Sequence, residues 1–143
     1  MTAARRHARG YTLLEIMVVV FIIGLLVTIV APRIVGRTDD ARRTKALADL
    51  ASIGQALNLY RLDNATYPTT DQGLRALTER PTSAPVPRAW RGEGYLDGVP
   101  IDPWGNPYVY VLATPQRYAL QSLGSDGVEG GDGTAADIDA TTR

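Results

Sequence analysis

From Leu13 to Ala31 every residue is apolar or small except Glu15 and Thr28. As a helix this run spans about 28 Å at 1.5 Å per residue, close to a hydrocarbon core of about 30 Å, and so predicts one membrane crossing. Beyond it the pattern changes. Through "GRTDDARRTKALADLASIGQALNLYRLDN", Leu47, Leu50, Gly54, Leu57 and Tyr60 recur at three- and four-residue steps. That spacing predicts an amphipathic helix with one stripe laid on a sheet. Thr38 or Asp39 is available as its N-cap, and Pro32 and Gly36 mark where it, as a continuation of the membrane segment, bends or melts. "NATYPTTDQGLRALTERP" predicts an extended stretch ended by Pro68, a Thr69–Gln72 capping box and a short helix with Leu74 and Leu77 facing inward. From Pro81 to Pro107 proline and glycine dominate, predicting an ordered loop in which Trp90, Tyr95, Leu96 and Trp104 cover a surface. "YVYVLATPQRYALQSL" alternates and predicts two strands around a Thr-Pro-Gln turn. The fold class is α+β, a long N-terminal helix packed on a small antiparallel sheet.

Composition narrows what such a fold can do. At 143 residues the chain supports one domain with a modest core. Fifteen basic and fifteen acidic residues cancel, but Arg5, Arg6 and Arg9 crowd the start while Asp126, Glu129, Asp132, Asp137 and Asp139 face only Arg143 near the end. No basic surface for nucleic acid is indicated, because phosphate binding needs Lys and Arg gathered on one face. There is no cysteine, and His7 is the single histidine. The commonest nucleophiles, general bases and zinc ligands are therefore missing together, and Lys45, the sole lysine, has no paired base. The chain does not read as an enzyme.

Glu15 then needs a reason, since a carboxylate inside a transmembrane helix costs roughly 2.5–3.5 kcal/mol on insertion scales. "RG" precedes the apolar run and no small-residue cleavage site follows it, the reverse of a secretory signal. A cut between Gly10 and Tyr11 removes the basic leader, keeps the helix, and creates an amino terminus four residues from Glu15, on the same helical face. "RG" followed by "YTLLE" resembles the class III signal of type IV pilins and pseudopilins. The resemblance implies cleavage by a prepilin peptidase after Gly10 and N-methylation of Tyr11, where the family usually has Phe. It also implies that Glu15 is the assembly residue, neutralising the terminal amine of a neighbouring subunit. The resulting division is 1–10 leader, 11–32 transmembrane and assembly helix, and 33–143 globular domain.

"LGSDGVEGGDGTAADID" raises a second chemical question. Glycines allow tight curvature, and carboxylates with exposed carbonyls are the hard oxygen donors that calcium takes six to eight of. The pattern is not an EF-hand, because Val128 stands where an oxygen ligand belongs, and by itself it fits a solvated acidic turn as well as a calcium loop. "YPTTDQGLRAL", "DGVPIDPWGNPYVY" and "SLGSDGVEGGDG" resemble, in order and at family spacing, segments of the major pseudopilin family of type II secretion. That resemblance implies one calcium in the C-terminal loop, held by the carboxylates of Asp126 and Asp137 and the carbonyls of Leu123, Ser125 and Val128. Ala136 departs from relatives that carry an acid there, and Asp132 or Glu129 is the candidate substitute. The "DATTR" tail departs as well, where many relatives end with an aromatic.

The expectation is a subunit of the periplasmic pseudopilus of type II secretion. It would be anchored once in the bacterial inner membrane with its globular domain in the periplasm. Implied partners are other copies of itself, minor pseudopilins, the prepilin peptidase and the inner-membrane assembly platform. A type IV pilin for adhesion, motility or DNA uptake is the alternative; such pilins often close a C-terminal loop with two cysteines, and they lack the "YPTTDQGL" and "DPWGNPY" pair. Mass spectrometry of membrane-extracted protein is expected to find methylated Tyr11 at the amino terminus, whereas an intact Met1 in a peptidase-competent host would remove the pilin-like reading.

Overall fold

The computed structural model describes residues 11–141, with the backbone alone described for residues 29–37. The leader and its Gly10 therefore lie outside the described residues. Two compact units divide at Thr38, the second being Asp39–Arg143. In chain order the elements are helix α1 (Leu13–Asn64), a 3-10 helix (Leu74–Leu77), strands β1 (Val109–Thr114) and β2 (Arg117–Ser122), a second 3-10 turn (Gly133–Ala135) and strand β3 (Ile138–Asp139).

In the first unit the described side chains of α1 are exposed all round, including Leu13 at 82% and Phe21 at 71%. Among the described residues no helix is long and apolar enough to cross a membrane. The described side chains of the apolar run stop at Thr28, while the predicted span continues through Ala31. The backbone stays helical through Pro32 and Gly36, where melting was one expectation. The predicted N-cap at Thr38 or Asp39 is accordingly absent: both residues are interior to α1, and Asp39 instead faces Arg42 at 3.7 Å one turn on.

In the globular unit α1 buries Ala46, Leu50, Ile53, Ala56, Leu57 and Tyr60. The predicted stripe was rotated at its start, because Leu47 is half exposed and Ala46 takes the inward place. Both positions keep three- and four-residue spacing to later apolar residues, so periodicity leaves two overlapping stripes, and packing selects the one containing Ile53. Gly54 lies at the edge of this face, where an added Cβ would stand 3.1 Å from the Tyr118 hydroxyl.

The sheet has order β1-β2-β3, antiparallel throughout, with Tyr110 opposite Leu120 and Ser122 opposite Ile138. Tyr118, Leu120 and Ser122 alternate inward along β2, as period-two geometry requires. The strand pair around Pro115 matches the expectation; β3 was not foreseen, because two residues are too few for a periodic signal. Tyr110 donates through its hydroxyl to the Pro68 carbonyl at 2.7 Å, and the Tyr67 and Tyr118 rings meet edge-on at 4.9 Å. Burial alone is worth about 1.5–3 kcal/mol for each such large apolar side chain.

The capping box forms reciprocally. The Gln72 N–H donates to Thr69 Oγ1 at 3.2 Å, and the Thr69 N–H donates to Gln72 Oε1 at 3.1 Å. Leu74 and Leu77 then turn inward from a 3-10 rather than an α-helical turn. Gln72 also donates to the carbonyls of Ser83 and Pro85, while the Trp90 indole donates to the Ala76 carbonyl at 2.9 Å. The Tyr95 and Leu96 N–H groups share the Leu77 carbonyl. These bonds seat the Pro/Gly-rich segment on the short helix.

Candidate assembly helix and C-terminal oxygen loop

Two places concentrate chemistry. The first is the start of α1, where the Glu15 N–H donates to Thr12 Oγ1 at 3.2 Å and the Ile16 N–H to the Thr12 carbonyl. Thr12 thus satisfies one of the orphan donors of the first turn, a role that Thr followed three residues later by Glu already signals in sequence. Sequence reasoning had passed over it. The Glu15 carboxylate lies in the first turn, where an acid is favoured by the helix dipole, and no cation pairs with it among the described residues. Tyr11 is 79% exposed beside it.

The second place is built on the DPWGN turn. Asp102 is only 3% exposed, yet both its oxygens are used: Oδ1 accepts from the Trp104 N–H at 3.0 Å and the Asn106 N–H at 2.7 Å, and Oδ2 accepts from Ser122 Oγ at 2.8 Å. Ser122 Oγ in turn accepts from the Gly124 N–H, and Asn106 Nδ2 donates to the Gly124 carbonyl at 3.1 Å. The acidic loop is therefore gripped at its root by side chains from the turn. Glycine is required where that loop doubles back. A Cβ at Gly124 or Gly131 would stand 2.8 Å and 2.6 Å from the Ala135 carbonyl oxygen, and both residues have positive φ.

Within the loop the Val128 N–H donates to Asp126 Oδ1 at 3.1 Å and the Gly130 N–H to Asp137 Oδ2 at 3.0 Å. The other Asp137 oxygen, Oδ1, is buried and accepts no hydrogen bond. A buried carboxylate oxygen left unpaired costs at least 1–3 kcal/mol, the range in which a cation is the natural partner. The carbonyls of Leu123, Ser125 and Val128 accept none of the turn and loop hydrogen bonds among the described residues. The donor types present are thus hard oxygens, with one carboxylate oxygen of Asp137 unsatisfied, a chemistry that calcium accepts. No three acidic side chains gather as they would about a metal among the described residues, so Asp126, Asp132 and Asp137 do not converge as a trio. The Asp132 carbonyl instead accepts from the Ala135 N–H.

Comparison with known proteins follows this geometry. Residues 33–141 match the family described as "Type II secretion system (T2SS), protein G", and residues 5–31 match the "Prokaryotic N-terminal methylation motif". The chain belongs to the protein G family of type II secretion systems. It is 50% identical over 135 residues to the type II secretion system core protein G of Pseudomonas aeruginosa, covering 94% of this chain and 95% of that one. The Vibrio cholerae core protein G is 48% identical, covering 93% and 91% respectively. Among solved structures, the major pseudopilin from the type 2 secretion system of enterohaemorrhagic Escherichia coli superposes with a TM-score of 0.64 at 41% identity, covering 74% of this chain and 91% of that chain.

The DPWGN network of this protein G family member carries a direct test. Asp102→Ala strands three donors in or near the core, and denaturant unfolding of the globular domain is expected to show a loss of about 3 kcal/mol. A loss below about 1 kcal/mol would mean that water replaces the carboxylate without penalty.

Proposed function

We propose that the chain is the major structural subunit of the periplasmic pseudopilus, polymerising through α1 to drive folded exoproteins across the outer membrane. It acts as a filament subunit, not as an enzyme. The observation that carries the reading is the first unit itself: a helix exposing Leu13, Phe21 and their neighbours on every side, with one acid in its first turn. Such a surface is stable only in hydrocarbon or against other helices. Before assembly it anchors the subunit in the inner membrane with the globular domain in the periplasm. In the filament the same surface packs on neighbouring copies. Minor pseudopilins, the prepilin peptidase and the inner-membrane assembly platform are the further partners of this reading.

Processing after Gly10 gives Tyr11 a charged, methylated amine. Inside a bundle of apolar helices an unpaired ammonium and an unpaired carboxylate are each costly, so the amine of an incoming subunit is drawn to Glu15 of one already placed. That attraction sets the axial stagger. Glu15→Ala is expected to leave membrane insertion and leader cleavage intact while abolishing filaments and secretion, read by electron microscopy of sheared cells and by exoprotein in the medium. Filaments of normal number and length from the variant would reduce Glu15 to a helix-capping residue.

In the same reading the C-terminal loop holds calcium through Asp126 and Asp137 and the carbonyls of Leu123, Ser125 and Val128, with Asp132 or Glu129 as the candidate for the position lost at Ala136. The buried, unpaired Asp137 Oδ1 supports this assignment. Bound calcium supplies positive charge and a multidentate tie, in a chain with no disulfide to close the loop. Asp126 and Asp137 orient their free oxygens; the glycines let the carbonyls turn inward. At a hundredfold excess over Kd the ion would stabilise the folded state by about 2.7 kcal/mol. Melting of residues 33–143 is expected to rise with calcium, to respond weakly to magnesium, which needs near-octahedral geometry, and to lose its response in Asp137→Ala. A wild-type melting temperature indifferent to calcium and chelator would remove the site.

A further inference from the structure

A cleft of about 400 Å³ opens at the far end of α1, walled by Tyr60, Tyr67, Pro85 and Val86 and rimmed by Arg88 and Asp63. Its charge is one-sided. Arg61, Arg88 and Arg91 stand around a single carboxylate, Asp63, which is already taken: it accepts from Arg91 Nε at 2.7 Å and from the Tyr95 hydroxyl at 3.1 Å. The Arg91 hydrogen bond, chiefly, holds the Asp63 carboxyl below its ordinary range. Arg61 lies over the Tyr67 ring, and neither it nor Arg88 has a carboxylate partner among the described residues. An apolar cleft edged by the Arg88 guanidinium suits an apolar knob next to a carboxylate.

The chain presents such a knob. At the tip of the C-terminal loop Val128 is 63% exposed, and Glu129 is exposed beside it. The tip and the cleft sit at opposite ends of the globular unit. Gly133 and Thr134 of the loop line a hollow with Asp39, Asp40 and Arg43 at the beginning of that unit's helix, whereas the cleft lies at Tyr60 to Tyr67, where the helix ends. Some twenty residues of helix separate them, roughly 30 Å at 1.5 Å per residue. One copy therefore cannot fill its own cleft, but a parallel, axially displaced copy can. Complementary patches at opposite ends of one molecule make a heterologous contact, the kind that propagates into an open helical polymer.

We propose that this cleft is the seat for a second copy of the chain, taking Val128 against the exposed Pro85 and Val86 over the Tyr60–Tyr67 floor and pairing Glu129 with Arg88. The inference rests on the filament reading above and names one surface of it. It also gives an ordered loop a purpose at a distance, because a fixed tip can dock where a loose one loses affinity to ordering entropy.

The chain has no cysteine, so cross-linking is unambiguous. Two differently tagged full-length chains, one Val86→Cys and one Val128→Cys, are co-expressed with the secretion machinery and oxidised in place. A disulfide joining the two tags is expected, and none when Val111→Cys, on the exposed face of β1, replaces Val128→Cys. Independently, Arg88→Glu and Glu129→Arg should each lower filament yield, and the double exchange should restore it. Normal filaments without the cross-link, together with no rescue by the exchange, would overturn this contact and leave the filament reading standing. If the cysteine variants fail to assemble, the charge exchange decides. Absence of any filament from the wild-type chain would overturn both.

Discussion

The buried carboxylate of Asp102 is the constraint on which the globular unit turns. It is nearly without solvent, yet its oxygens meet donors from the Trp104 and Asn106 backbone and from Ser122. A buried polar group is tolerated only when its hydrogen-bonding capacity is met, so the turn, the end of β2 and the root of the C-terminal loop must be in place together. Asn106 extends the grip to the Gly124 carbonyl. This makes the "DPWGN" stretch a positioning device: it ties the loop's root to the sheet and leaves Asp137 Oδ1 unpaired and the tip at Val128 exposed.

The membrane anchoring proposed above would require α1 to serve two solvents. In the first unit its described side chains are apolar or small but for Glu15, Thr28 and Thr38. In the second it is amphipathic, with Leu50, Ile53, Leu57 and Tyr60 against the core. Thr28 meets its own need by donating to the Leu25 carbonyl at 2.7 Å, so its hydroxyl adds little cost in hydrocarbon. Pro32 lacks an N–H and so cannot bond the Thr28 carbonyl four residues earlier. The weakest point of the helix backbone thus falls next to the border between apolar and amphipathic halves.

Much of this was legible in sequence because it rests on local or periodic signals. The apolar run, the Thr69–Gln72 box and the alternation about Pro115 each depend on a few neighbouring residues. The inward start of the α1 stripe was misplaced, since Ala46 and Leu47 both satisfy the spacing and only the sheet decides between them. The cap at Thr38 or Asp39 was misassigned for a related reason: cap residues signal a start only where a helix has one, and here the helix arrives from upstream. The bonds of Asp102 to Ser122 and of Asn106 to Gly124 were beyond reach, because they join residues 20 and 18 positions apart through tertiary packing. At the candidate metal loop the donor types were readable, whereas the isolation of Asp137 Oδ1 was not.

Assembly by this chain asks for strength without a large preformed interface, and the distribution of its charges suggests how that is met. In the filament proposed above, the acid in the first turn of α1, the amine that cleavage would create, the Arg88-edged cleft and the acidic tip would each be incomplete alone. Each would be satisfied by another copy at a fixed axial offset. Unsatisfied groups of this kind weaken every misregistered contact as well as helping the correct one, which is how specificity arises between otherwise apolar helices that could slide past one another. Apolar burial then supplies most of the attraction, and the charged pairs supply the register. A ligand-held C-terminal loop would extend the same logic to the globular domain, because the position of its tip, rather than its chemistry alone, decides whether the two ends of neighbouring subunits can meet.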